Sequence, residues 1–179
     1  DDIIDVIDEE AEDDYSKLAG ITDMDDADGG PFKAAAKRLP WLIILLFLGM
    51  VTANLMGLFE DTLDKVALLA TFIPLISGTS GNSGTQALAV AIRGIATGEI
   101  GGKSKFRLIM RELCTGLVMG LVSGAIVVGI IYVWKQELII GLLVAAAICC
   151  SIIVATLAGS FIPLIMHKLG IDPAVASGP

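Results

Sequence analysis

The sequence predicts an all-α integral membrane protein in which an acidic amphipathic helix precedes about four transmembrane helices. Two observations lead to this fold class. Hydrophobic residues make up 55% of the 179 residues, and the mean hydropathy of +0.80 is too high for an ordinary soluble core. Four stretches of more than twenty residues contain no charged side chain, and about 20 apolar residues suffice for a helix to cross a bilayer.

The net charge of −8 averages two unlike parts of the chain. Residues 1–30 contain thirteen of the twenty acidic residues and one base, Lys17, so that this segment has a net charge of −12 and the rest has +4. An acidic head on a hydrophobic body with basic flanks is not the composition of a nucleic-acid-binding protein. The sequence also shows no nucleophile–base pair and no phosphate-binding loop, so we do not expect an enzyme.

The acidic head, residues 2–18, predicts an amphipathic helix. An apolar stripe recurs at spacings of three and four residues, and acidic residues fill the remaining surface; the stripe consists of Ile3, Ile7, Ala11, Tyr15 and Leu18. Crowded carboxylates repel one another unless cations screen them, and hard divalent ions bind one or two carboxylates while keeping several waters. Two interpretations remain open, a metal-sensing surface and a merely solvated charged face.

The uncharged stretches predict transmembrane helices at about residues 39–59, 66–92, 113–134 and 138–166. The second and fourth are longer than a perpendicular helix requires, so each is expected to tilt, kink or break. The expected breakers are the glycine-rich residues 78–84 in the second stretch and Pro163 in the fourth.

The distribution of Lys and Arg predicts the orientation. Nine bases lie beside the amino-terminal flank, the central loop and the carboxyl end, whereas only Lys65 and Lys135 lie beside the two short connections. Cytoplasmic segments are enriched in Lys and Arg. The amino terminus, the central loop and the carboxyl end are therefore expected in the cytoplasm, and the connections at residues 60–65 and 135–137 outside.

Small residues recur every four positions in the last two stretches. Gly116, Gly120 and Gly124 form one stripe, and Ser151, Ala155 and Gly159 form another. Such stripes let helices approach closely in lipid. Tight helix packing is the favoured interpretation, and a gating interface is the alternative.

Ten consecutive polar or small residues, 77–86, interrupt the second stretch. Polar groups inside a bilayer need hydrogen-bond partners, so these side chains are expected to face protein or water. Neutral oxygens and amides suit a cation that keeps its hydration shell, because they can bond its waters without trapping the ion. A polar helix–helix contact would produce the same pattern.

Several short motifs together resemble the MgtE family of magnesium channels. They run in the family's order over nearly the whole chain: Asp2-Ile3-Ile4-Asp5-Val6, Lys17-Leu18-Ala19-Gly20, Leu39-Pro40-Trp41-Leu42, Phe59-Glu60, Phe72-Ile73-Pro74-Leu75, Gly81-Asn82-Ser83-Gly84-Thr85-Gln86, Arg93-Gly94, Gly98-Glu99-Ile100 and Gly170-Ile171-Asp172-Pro173-Ala174. The resemblance implies a homodimeric, Mg²⁺-selective channel in the lipid bilayer, with a pore between protomers that the second and fifth transmembrane helices line. It also implies closure at high intracellular Mg²⁺ by cytoplasmic CBS domains and an acidic plug helix.

The resemblance assigns roles to individual residues. The pore-facing positions of the second helix would be Gly78, Asn82, Thr85 and Gln86. The plug-helix acids that share regulatory Mg²⁺ with the CBS domains would be Asp2, Asp5, Glu10, Asp13 and Asp14.

The predicted organisation is a plug helix at residues 1–19, a hinge and basic flank at 20–38, and a transmembrane domain at 39–179 that lacks the family's fifth helix. We therefore expect a transport-domain fragment of a multi-pass protein of the cell inner (plasma) membrane, with its amino terminus in the cytoplasm. Two alternatives are a non-conducting helical membrane scaffold and a carrier for another divalent cation.

Overall fold

The computed structural model describes residues 31–65, 67–98 and 103–170. In this part of the chain every regular element is an α-helix, which confirms the predicted all-α fold class. The helices are α1 (Pro31–Gly57), α2 (Glu60–Lys65), α3 (Ala67–Ala70), α4 (Ile73–Ala96), α5 (Lys103–Lys135) and α6 (Leu138–Lys168). The acidic head lies outside the described residues, and so does the prediction of an amphipathic helix there.

Helix α1 belongs to one compact unit, and residues Asp61–Leu169 form a second unit. Within α1, the segment Arg38–Gly57 has 20 residues and is apolar enough to cross a membrane. At a rise of about 1.5 Å per residue it spans about 30 Å, the thickness of the hydrocarbon core. Its large apolar side chains are exposed, as they are on a helix surrounded by lipid; Leu46 and Phe47 are each 66% exposed.

In the second unit, α5 and α6 form an antiparallel pair. Each contains a 31-residue segment that is long and apolar enough to cross a membrane, Lys105–Lys135 and Leu138–Lys168. Only Gln136 and Glu137 separate the two helices, and Gln136 makes the reversal with a positive φ of 57°. Helix α4 has 24 residues, which correspond to about 36 Å. Among the described residues, three helices are long and apolar enough to cross a membrane, and α4 is not one of them, because it contains the polar residues 77–86. Of the four predicted spans, the one at 66–92 is therefore not found by this criterion.

The break in the second uncharged stretch does not lie where the sequence analysis placed it. Helix α4 continues through the glycine-rich residues 78–84, and the interruption falls at Thr71 and Phe72, between α3 and α4. Pro74 explains this position, since proline has no N–H to donate to the carbonyl of Ala70 and its ring clashes there. The same residue is well suited to the first turn of α4, where no helical N–H bond is required.

Pro163 likewise does not interrupt its helix. Helix α6 runs unbroken from Leu138 to Lys168 with Pro163 inside it, and Pro163 is buried. Transmembrane helices tolerate internal proline where neighbouring helices pack around the freed backbone group. Of the tilt, kink or break expected for this stretch, the break at Pro163 is absent from the described helix.

The α5 glycine stripe packs against α6. A Cβ atom on Gly120 would lie 2.8 Å from the Sγ atom and 2.9 Å from the Cα atom of Cys149, and one on Gly124 would lie 3.3 Å from the carbonyl oxygen of Ala145. Only glycine permits backbones to approach so closely. The contact confirms tight packing as a role of this stripe.

The α6 stripe of small residues faces a different helix. Gly159 lies against the backbone of Gly84 on α4, and a Cβ atom on Gly84 would lie 3.3 Å from the carbonyl oxygen of Ala155. Helix α6 therefore lies between α4 and α5, with one small-residue contact on each side.

Two apolar clusters fill the helix contacts at opposite ends of this unit. Ile131, Val144, Ile148 and Ile152 form a cluster between α5 and α6. Ala91, Leu108 and Leu164 form a second cluster that joins one end of all three long helices. These contacts fix the rotation of α4 about its axis and thereby determine which of its residues stay exposed.

Candidate functional site

Helix α4 has a buried face and an open polar face. The buried face packs on α6 and consists of Ser83, Ala87, Leu88, Ala91 and Gly94. On the opposite side Gly78, Asn82 and Thr85 are exposed and follow one another at spacings of four and three residues. No atom of the described residues lies within 4 Å of a Cβ atom placed on Gly78 or Gly81. The glycines therefore leave the backbone of this face open to a neighbouring molecule or to solvent.

The hydroxyl groups of the polar segment donate to their own helix. Thr79 Oγ1 donates to the carbonyl oxygen of Leu75 at 2.8 Å, Ser80 Oγ to that of Ile76 at 2.8 Å, and Thr85 Oγ1 to that of Gly81 at 3.0 Å. Such bonds to the preceding turn satisfy the hydroxyl proton and leave the oxygen as an acceptor. An outward hydroxyl oxygen of this kind is suited to accept a hydrogen bond from water in the shell of a cation.

Asn82 and Gln86 differ from these hydroxyl residues because their amides make no hydrogen bond within the described residues. Both line a groove of about 440 Å³ that lies between α4 and α5. Thr79 and Ser83 of α4 and Ser123 of α5 add polar groups to the groove, and its remaining walls are apolar side chains of α5 and α6. The groove combines free amides with space for several waters.

The four predicted pore residues thus lie on one side of α4, away from its buried face. Asn82 and Gln86 face the groove, whereas Gly78 and Thr85 lie on the open surface beside it. Neither Asn82 nor Thr85 bonds to another described helix. A polar helix–helix contact therefore does not account for these two residues in the described part of the chain. The buried Ser83 likewise donates to its own helix, at the carbonyl oxygen of Thr79.

The groove also contains a residue that the sequence reasoning missed. Ser123 lies inside the predicted third span and was not singled out, yet it faces Asn82 and Gln86 across the groove. The only indication of Ser123 in the sequence is its place in the glycine stripe, three positions after Gly120 and one before Gly124. That spacing alone does not distinguish it from a packing residue.

The described part of the groove is electrically neutral. Of the residues that the structure describes, no three His, Cys, Asp or Glu come together in a way that could hold a metal ion. The predicted regulatory residues Asp2, Asp5, Glu10, Asp13 and Asp14 lie outside the described residues. Neutral groups bind an ion's water shell but do not hold a bare divalent ion.

A buried carboxylate lies near one end of α5. Glu112 is 5% exposed, and its Oε1 atom accepts hydrogen bonds from Arg111 Nε at 3.3 Å and Nη2 at 3.1 Å. Arg111 itself is exposed. Sequence spacing does not reveal which side chain is buried, so from the sequence these two residues are indistinguishable from ordinary charged residues at a membrane interface.

Membrane-length helices that pack closely and leave one polar, glycine-rich face open are the architecture of a multi-pass membrane protein. Residues 73–179 match the MgtE family, described as divalent cation transporters. The chain belongs to this family. The family is described as transporters, in agreement with the prediction that the chain is not an enzyme.

Three relatives match the whole chain. Each is named magnesium transporter MgtE, and the sequences from Enterococcus faecalis, Bacillus subtilis and Thermus thermophilus are 53%, 43% and 34% identical. The matches cover 100% of this chain but 39%, 40% and 40% of those proteins. The chain therefore spans about two fifths of the length of its curated relatives.

Proposed function

We propose that this chain is the membrane part of an Mg²⁺-selective channel or transporter, and that the open face of α4 lines the ion path. The observation that carries the proposal is the polar surface of Gly78, Asn82, Thr85 and Gln86 on a helix that otherwise packs in an apolar bundle. Family membership and the names of the relatives support Mg²⁺ as the transported ion.

The chemistry of this face fits an ion that keeps its waters. Mg²⁺ dehydrates reluctantly, so a path that hydrogen-bonds its water shell costs less than one that removes it. The amides of Asn82 and Gln86 and the hydroxyl oxygen of Thr85 can each accept a hydrogen bond from coordinated water. Weak, neutral contacts also allow the ion to leave again. Selection for a divalent charge then requires a carboxylate, which we assign to a further helix of the longer protein.

The open face also supports a homodimer. Gly78 and Gly81 leave the α4 backbone uncovered within the described residues, so a second copy related by a two-fold axis can bring the same groups to the opposite side of one path. The lipid bilayer surrounds this dimer, and we place it in the cell inner (plasma) membrane with the amino terminus in the cytoplasm, as the distribution of Lys and Arg predicts.

The regulatory part of the proposal concerns the acidic head. Asp2, Asp5, Glu10, Asp13 and Asp14 would bind regulatory Mg²⁺ together with cytoplasmic CBS domains and close the path when cytoplasmic Mg²⁺ is high. The crowding of carboxylates supports this part, because a divalent ion relieves their mutual repulsion.

Mg²⁺ flux through liposomes that contain the full-length protein tests the proposal. We expect uptake well above that of protein-free liposomes, and a decrease when Mg²⁺ is raised on the cytoplasmic face. Flux equal to that of protein-free liposomes would favour the scaffold alternative. Uptake of Ca²⁺ or Mn²⁺ at the rate of Mg²⁺ would favour a carrier for divalent cations in general. The family description, divalent cation transporter, is compatible with this alternative.

A further inference from the structure

The outward side of α5 changes from basic to apolar along its length. Arg107, Arg111, Cys114, Val118 and Leu121 follow one another at spacings of four and three residues, and all five are exposed. We call these five residues the arginine face. It points away from Gly116 and Gly120, whose side of the helix contacts α6. Within the unit Asp61–Leu169 the arginine face is therefore uncovered, although Val118 also borders the α4 groove.

Arg111 is held in a fixed position on this face. Adjacent residues on a helix do not face each other, yet the Arg111 side chain folds back so that Nε and Nη2 donate to Oε1 of Glu112. Of the acidic residues whose side chains the structure describes, Glu112 alone is buried. The carboxylate uses only part of the guanidinium fork and leaves Nη1 for a second acceptor. The planar guanidinium of arginine pairs two of its N–H groups with two oxygens of a carboxylate or phosphate.

More basic groups lie at the same end of the bundle. The cluster of Ala91, Leu108 and Leu164 brings this end of α4, α5 and α6 together. Arg93 follows Ala91 on α4, and Lys168 follows Leu164 on α6, and both are exposed. The opposite end has exposed Asp61, Lys135 and Glu137 among the described side chains of this unit. An anionic partner is therefore favoured at the arginine end.

The apolar half of the arginine face identifies the kind of partner. From Arg111 to Leu121 the helix rises about 15 Å, half the thickness of a hydrocarbon core. Val118 and Leu121 are 61% and 59% exposed. A charged headgroup at the arginines and an acyl chain along the apolar residues match this surface over its whole length, whereas a free phosphate or an acidic peptide would leave the apolar half uncovered.

We propose that Arg107 and Arg111 bind the phosphate of an anionic phospholipid whose acyl chain lies along Cys114, Val118 and Leu121. Glu112 acts as a positioning residue that holds Arg111 ready for the phosphate. The two arginines do not line the α4 groove, although Val118 borders it, and the inference does not depend on the proposed transport function.

The test measures binding of phosphatidylglycerol and of phosphatidylcholine with the same acyl chains to the full-length protein in detergent, by native mass spectrometry. We expect the unchanged protein to prefer phosphatidylglycerol. The ratio of the two binding constants should fall about fivefold for each arginine removed, which is the effect of one basic group near an anionic membrane surface. The variant that carries both Arg107→Gln and Arg111→Gln should lose the preference. Because Arg111→Gln leaves the buried carboxylate of Glu112 without its partner, a triple variant that adds Glu112→Gln is measured beside it and should lose the preference as well. Lys135→Gln, at the other end of α5, is the matched control and should keep it.

Two further arms separate the alternatives. Glu112→Gln should weaken the preference for phosphatidylglycerol without removing it. Arg111→Lys should keep more of this preference than Arg111→Gln but less than the unchanged protein, because lysine keeps the charge but not the guanidinium fork. Glycerol 3-phosphate, which has the headgroup phosphate without acyl chains, should not compete at equal concentration. Effective competition by it, an unchanged preference in the double variant, or an equal loss in Lys135→Gln would each overturn the proposal.

Discussion

Replacing Asn82 with Leu should reduce Mg²⁺ flux through the full-length protein by about tenfold or more while the protein remains folded. The estimate corresponds to one lost hydrogen bond to a charged, hydrated ion, which contributes about 1.5 kcal/mol. The substitution also places an apolar side chain in the groove where the amide now lies free. Thr85→Leu on the adjacent open surface should act in the same direction.

The matched control for Asn82→Leu is Asn54→Leu. Asn54 is also an exposed asparagine in a long helix, and its Nδ2 atom donates to the carbonyl oxygen of Met50 on α1 at 2.8 Å. We expect nearly normal flux in that variant. If the polar segment only joined helices, Asn82→Leu would instead lower stability by about 1 to 2 kcal/mol and leave flux unchanged. Flux and thermal unfolding measured on both variants distinguish these outcomes.

A large effect on stability is expected at Gly120. In Gly120→Leu, the first carbon of the new side chain would meet the Cα atom of Cys149, and backbone atoms cannot move aside without separating α5 from α6. Overpacking of this kind costs about 3 kcal/mol or more. Thermal unfolding of the purified protein should show a much lower midpoint.

Gly129 on the same helix provides the control for this change. Nothing lies within 4 Å of a Cβ atom at Gly129, and leucine is favoured over glycine in a helix by about 0.8 kcal/mol. Gly129→Leu should therefore leave the midpoint unchanged or raise it. A similar decrease in both variants would mean that the contact between α5 and α6 does not determine stability.

The positions of the long helices were predicted closely from the sequence, whereas the positions of their interruptions were not. The uncharged stretches at 113–134 and 138–166 lie inside α5 and α6, because the cost of burying charge in lipid confines Lys, Arg, Asp and Glu to helix ends. The glycine-rich segment stayed helical because its hydroxyls bond to its own backbone and α6 packs along one side of it. Pro74, which was not considered a breaker, determines the actual interruption.

Which residues of α4 lie on its open face and which lie on its packed face could be determined only from the structure. Sequence spacing grouped residues 77–86 as one polar segment, but packing contacts, among them that of Gly84 with Ala155 and Gly159, determine its rotation about the helix axis. Once these contacts are known, Ser83 falls on the packed side, and Asn82 falls on the open side. Likewise, the burial of Glu112 and the exposure of Arg111 depend on how α5 is turned towards α6.

Thiol accessibility measured during Mg²⁺ flux tests most directly whether the open face of α4 lines the ion path. Native cysteines are first replaced, including Cys114 and Cys150, which are exposed. Thr85→Cys then places a thiol on the open face, and Ala87→Cys places one on the buried face, where Ala87 is 2% exposed. We expect a charged, membrane-impermeant thiol reagent to block flux in Thr85→Cys, with Mg²⁺ slowing the reaction, and to leave Ala87→Cys unaffected. Modification of Thr85→Cys without any change in flux, or a thiol at that position that the reagent cannot reach, would contradict the assignment of the ion path to this face.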